Sequence, residues 1–250
     1  MAPRLIVHAG FHKTGTTSIQ HALRQNRKAL APLTIVLRPD MVALCESARA
    51  YSVSRGATDL ALLQYEAAEL AAGWHGTVLI SSEDLAGHMP GRRGLTRYDA
   101  TPRIMAALDT AWRKAIPGAG ILLAFTTRRP EAWLASCHMQ HLRATRMRLS
   151  VDDYAHDYAG SADLGGIVDQ VAQACPKALV MSLPLEGPTD PLAALLQAAG
   201  VQHSAIPQMP RRNATEAEAL RAALLTINRS DRTDAEARAA RKALLARARA

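Results

Sequence analysis

The chain has 250 residues, 30 Lys and Arg against 22 Asp and Glu, and a formal net charge of +8. Hydrophobic residues make up 48% and charged residues 21%, which excludes a disordered chain and suits one globular α/β domain with a sizeable core. Three scattered cysteines, Cys45, Cys137 and Cys175, show no CxxC spacing; they speak against a disulfide scaffold or zinc ribbon and suit a reducing compartment.

Short apolar runs recur along the chain. Leu5–Val7, Leu33–Leu37, Thr77–Ile80, Ile121–Phe125 and Leu179–Leu183 each have the continuous apolar character of a strand covered on both faces. Helical patterns lie between them: Thr17–Leu30, Asp59–Ala72, Thr101–Lys114, and Glu131–Arg143 behind Pro130 at a first helical position. Ser150 and Asp153 have capping-box spacing, and another helix falls between Pro188 and Gly200. A Pro/Arg-rich loop over 201–213 leads to a basic helical segment over 213–250, broken near Asn228–Asp231. The alternation predicts one α/β domain over 1–250, a P-loop-type three-layer sandwich whose central, mostly parallel sheet has about five strands.

No apolar run reaches the roughly 18 residues of a membrane-spanning helix, and the N-terminus lacks the apolar stretch of a signal peptide, so a cytoplasmic location is expected. The surplus positive charge points to an anionic ligand. Aromatic residues are only 4%, with no stacking or zinc-finger motif, so nucleic acid is not the expected partner. The basic C-terminal segment suits either a homo-oligomer face or a solvated tail.

The strongest local signal is Gly10-Phe-His-Lys-Thr-Gly-Thr-Thr17, between the first strand and the first helix. Glycines there permit a tight turn and close backbone approach, and backbone N–H groups at a helix start favour an anion. Gly10 and Gly15 have the spacing of a Walker A loop and Thr17 fills its hydroxyl place, but Thr16 stands where the lysine belongs and the lysine is at position 13.

This loop resembles the [KR]xGTT loop of the sulfotransferase superfamily, and especially that of small bacterial sulfotransferase-like proteins. The resemblance implies transfer of a sulfuryl group from 3′-phosphoadenosine 5′-phosphosulfate to a hydroxyl or amine acceptor, with no metal. It names Lys13, Thr14, Gly15, Thr16 and Thr17 for the 5′-phosphosulfate, with His12 as a loop or acceptor contact. A second family element is a strand ending in Arg-x-Pro with a serine eight residues after the arginine. Arg128, Pro130 and Ser136 fit that spacing, with Arg129 the weaker match, and by the resemblance Arg128 and Ser136 hold the 3′-phosphate. Arg211 and Arg212 resemble a basic loop that closes over the same end of the donor. Glu83, just past the third strand, is the candidate base for the acceptor proton; Asp40, after the second strand, is the runner-up and His12 a third. A P-loop kinase or NTPase, and a non-catalytic nucleotide-binding protein, stand as alternatives. His138 and His141 share a helix face but lack a third ligand for a metal.

Overall fold

The computed structural model describes residues 3–201 and 217–248. Arg211 and Arg212 lie outside the described residues. Five strands form one sheet: β1 (Arg4–His8), β2 (Thr34–Leu37), β3 (Thr77–Ser81), β4 (Gly120–Thr127) and β5 (Leu179–Pro184), in the order β2-β3-β1-β4-β5. All four pairings are parallel, so the sheet is wholly rather than mostly parallel. Parallel strands need crossovers, and these are helical.

Alternate strand residues point to opposite faces. One set, Ile6, Ile35, Leu37, Leu79, Ala124 and Leu183, packs under α1 (Thr16–Gln25) and α8 (Pro191–Ala198) through Ile19, Leu23, Leu192, Leu195 and Leu196. The other set, Leu5, Val7, Val36, Val78, Ile80, Leu123 and Phe125, is equally buried. On that side α7 (Leu164–Ala174) packs on β4 and β5, and it begins a row through α4 (Thr101–Ala115) and α3 (Ala57–Ala71) to α2 (Val42–Ser54). The result is a three-layer α/β sandwich, and burial on both faces explains why the strands read as unbroken apolar runs.

Two departures from the sequence reading have local causes. Helix α1 stops at Gln25, short of Leu30, where Asn26 turns its side-chain amide back to the Ala22 carbonyl (2.9 Å) and caps the helix end. Helices α2 and α7 do not follow from the apolar pattern. The first carries Ser, Glu and Arg among its apolar residues, and the second opens on Gly165 and Gly166.

The described residues form two compact units. The first comprises 3–129 with 163–201 and holds the whole sheet. The second comprises 130–162 with 217–248: α5 (Pro130–Ala144), α6 (Val151–Asp157), α9 (Ala217–Arg229) and α10 (Asp234–Arg247). Ser150 and Asp153 form the expected capping box of α6. Within the second unit Met139, Leu142 and Leu224 make a small core with Leu220, Leu244 and Leu245. Among the described residues no helix is long and apolar enough to cross a membrane.

Candidate functional site

The connection after β1 leaves toward β2, and the connection after β4 leaves toward β5, on the opposite side. The carboxyl ends of β1 and β4, which are neighbours in the sheet, therefore bound a topological switch point, where open α/β sheets bind ligands. The Gly10–Thr17 loop fills this place. Gly10 has φ +55°, and a Cβ built on it would lie 2.6 Å from Thr16 Cγ2 and 3.0 Å from Thr126 Oγ1, so only glycine fits. Gly15 takes φ +88° as the N-cap of α1, with Leu185 against its α-carbon. Lys13 is also left-handed, at φ 69°, an uncommon state for a side-chain-bearing residue and a local strain of the kind found at functional sites.

Because Gly15 is the cap, the cap residue has no side chain to offer the first amides of α1, and no acid lies in its first turn. That end keeps its partial positive charge for an anion. Thr17 is exposed there, whereas Thr16, in the Walker lysine's place, is buried with its methyl against Gly10.

Thr14 faces the other way. Its hydroxyl is fully buried and donates to the Phe11 carbonyl (2.6 Å) while bonding Thr126 Oγ1 (2.7 Å). Thr126 in turn bonds His8 Nε2 (3.2 Å), and His8 Nδ1 bonds Ser81 Oγ (2.8 Å). Each hydroxyl has one proton, so the chain runs in one direction: Ser81 to His8 Nδ1, His8 Nε2–H to Thr126, Thr126 to Thr14, Thr14 to Phe11 O. His8 and Ser81 end β1 and β3, and Thr126 is the last but one residue of β4, all on one sheet face, so the loop is fastened to three strands.

Full burial lowers the His8 pKa from about 6.5 to about 4. Between those values the unfolded chain binds a proton that the native chain refuses, so the contribution is complete above pH 6.5 and is lost as pH falls through 4. That difference is worth on the order of 3 kcal/mol. His8→Gln should therefore lose less stability than wild type on going from pH 7 to pH 4, measured by denaturant melts at each pH; equal losses would contradict this assignment.

A second set of contacts holds the loop from outside. The Phe11 ring lies 4.8 Å from Tyr98 and 5.4 Å from Phe125, and is fully buried. The Tyr98 hydroxyl accepts from the His12 N–H (3.2 Å) and bonds His12 Nδ1 (3.0 Å). His12 Nε2 is 3.5 Å from Asp84 Oδ1, and Arg38 donates to the other Asp84 oxygen. Burial works to raise the Asp84 pKa, but these hydrogen bonds override it and hold the carboxyl well below the usual range. His12 thus spans from Tyr98 to an ionised Asp84 and shapes the loop.

Arg128 follows β4 and reaches the loop: Nη1 donates to the Lys13 carbonyl (3.2 Å). Glu186, after β5, lies 3.4 Å from Arg128 Nε and accepts from the Arg129 N–H (3.1 Å). Arg128 Nε is buried without a hydrogen-bond partner among the described residues. Arg128 therefore ties the end of β4 to the backbone of the loop at Lys13, with Glu186 as its ion-pair partner. Ser136 belongs to α5 in the second unit and is half-buried.

Glu83 opens a short turn (Glu83–Ala86) capped by Ser82, whose hydroxyl accepts from the Asp84 N–H (3.3 Å). Gln20 of α1 donates to Glu83 Oε2 (2.6 Å), which ties the carboxylate to the helix that begins at the Gly10–Thr17 loop. Asp40 is spent differently: its Oδ2 accepts from the Leu37 N–H (3.0 Å) and from Arg27 (2.6 Å). Burial opposes, but those donors keep Asp40 below its ordinary pKa. The nearby Cys45 thiol is pushed up to about 12 by burial and is no nucleophile.

No family model matches this chain, and no curated protein matches it. Among solved structures, a sulfotransferase from Alicyclobacillus acidocaldarius is similar at 13% identity over 91% of this chain and 93% of that one, with a TM-score of 0.45. At that level the likeness carries no argument of its own. The fold rests on the strand order and the two covered sheet faces.

His8, Thr126 and Tyr98 are the residues that sequence reasoning missed. Nothing local marks them: Tyr98 is 86 positions from His12 and Thr126 is 118 from His8.

Proposed function

We propose that the protein transfers a sulfuryl group from 3′-phosphoadenosine 5′-phosphosulfate to a hydroxyl or amine acceptor. The observation that carries this reading is the glycine-bounded loop that holds Lys13 and leads into the start of α1 capped by Gly15, with Thr16 in the Walker lysine's place and Arg128 donating to the Lys13 carbonyl from the end of β4. A nucleoside triphosphate with magnesium would find no lysine at that position. A sulfuryl donor needs instead cations and amides around a compact anion.

On this reading the amides of Gly15, Thr16 and Thr17, with the Thr17 hydroxyl, hold the 5′-phosphate. Thr14 contributes through the loop's shape, since its hydroxyl is already used inside. Lys13 neutralises the charge that builds on the bridging oxygen as its bond to sulfur breaks and it leaves with the electron pair on the 5′-phosphate. Glu83 takes the proton from the acceptor as its oxygen or nitrogen bonds to sulfur. Arg128 serves the 3′-phosphate; Ser136 enters through its eight-residue spacing from Arg128, and Arg211 and Arg212 through sequence alone. Glu83 is preferred over Asp40 and His12 because those two are engaged by Arg27 and Asp84, while Gln20 is a neutral donor.

Incubation with the donor in EDTA and a panel of sugar, alcohol and amine acceptors should release adenosine 3′,5′-bisphosphate only when a suitable acceptor is present. Bisphosphate binding without release across the panel would favour the non-catalytic nucleotide-binding alternative.

A further inference from the structure

The second unit carries a cleft of about 500 Å³ lined by Arg143 and Ala144 at the end of α5 and by Arg238, Arg241, Lys242, Leu245 and Ala246 of α10. Four of its seven lining residues are cations, and none is an acid. We propose that this cleft binds a compact polyanion of the di- or triphosphate class, either free or as a lipid headgroup.

The sequence sets up the charge. Positions 238, 241, 242 and 245 recur at helical spacing and share one face of α10. The acids of this helix lie in its first turn and are already used. Asp234 accepts from Arg146 (2.7 Å), and Glu236 accepts from the N–H and hydroxyl of Thr233 in a capping box. Past Glu236 the helix has no acid to balance its cations.

Arg241 is the second, independent observation. It is only 6% exposed, with Nη1 donating to Asn228 Oδ1 (2.6 Å) and Nε buried without a hydrogen-bond partner among the described residues. Asn228 is itself fully buried and fixed to the Leu142 carbonyl (3.2 Å), so the guanidinium is held in place by a neutral group. Burial, and then the charges of Arg238 and Arg146, lower its pKa, with Asp234 opposing. A buried, preorganised cation beside other cations gains most from a multiply charged anion. The lining holds no aromatic ring, so affinity comes from charge rather than from stacking on a base, and the volume suits a small molecule, not a duplex.

Isothermal titration of the full chain with inorganic tripolyphosphate in EDTA tests this. Arg238 and Lys242 are exposed, so Arg238→Ala with Lys242→Ala should leave the melt unchanged while weakening binding about tenfold for each cation removed. The charge-conserving pair Arg238→Lys with Lys242→Arg should retain binding and separates lost charge from lost fold. The loop at the start of α1 also attracts an anion, so binding in the cleft is read as the difference between wild type and the double alanine variant, in which any uptake at that loop cancels and which does not depend on the donor reading. Sedimentation with phosphatidylcholine vesicles containing phosphatidylinositol bisphosphate, abolished in the double alanine variant, names a lipid headgroup. An isotherm without sedimentation names a soluble polyphosphate. Unchanged affinity in the double alanine variant, or no binding in either format, overturns the proposal.

Discussion

Lys13→Ala is expected to lower turnover of the sulfuryl donor by about 10² to 10³, the cost of removing one cation aimed at charge that develops in the transition state. The variant is a clean one. Lys13 holds φ 69°, and alanine meets the same left-handed penalty as lysine, so the backbone loses nothing by the change. The Lys13 carbonyl still accepts from Arg128, and Thr14 and His12 still fasten the loop on either side. Initial-rate kinetics with the melt as control give the answer; near-normal turnover in a folded Lys13→Ala protein would remove the loop from the chemistry.

Glu83→Gln is expected to slow turnover by roughly 10² to 10⁴ while leaving bisphosphate affinity within about twofold, because a general base acts on the acceptor proton and not on the donor pocket. The amide keeps the size of the side chain, and its oxygen still accepts from Gln20 Nε2, so position is conserved while basicity is lost. Asp40→Asn should disturb the ion pair with Arg27 and the bond from the Leu37 N–H, with a small effect on rate. Slow turnover in Asp40→Asn with normal turnover in Glu83→Gln would move the base to the end of β2.

Much of the fold was legible because its causes are local. Five apolar runs became five strands since parallel strands are buried on both faces, and Pro130 and the Ser150–Asp153 pair mark helix starts through backbone chemistry alone. The loop was legible because Gly10 and Gly15 are demanded by positive φ and close approach. What was not legible is which threonine turns inward. A loop has no side-chain period, so Lys13-Thr14-Gly15-Thr16-Thr17 looks alike at each hydroxyl; the structure buries Thr14 and Thr16 and exposes Thr17. The inward choice depends on Thr126 and His8, which the parallel register brings together from far along the chain. The same holds for Gln20 and Glu83, joined across 63 positions.

The most direct measurement of the central claim is a thermal-shift comparison of three nucleotides, each with and without EDTA. A ligand at about 100 times its dissociation constant stabilises the fold by roughly 2.7 kcal/mol. In a chain of this length each kcal/mol moves the melting temperature by about 2–4 °C. Adenosine 3′,5′-bisphosphate engages both Arg128 and the start of α1, so it should raise the melting temperature by about 5–10 °C regardless of EDTA. AMP, which lacks the 3′-phosphate, should give much less at the same concentration. A larger shift from ATP with magnesium, abolished by EDTA, would contradict the sulfuryl-donor account and favour a P-loop kinase.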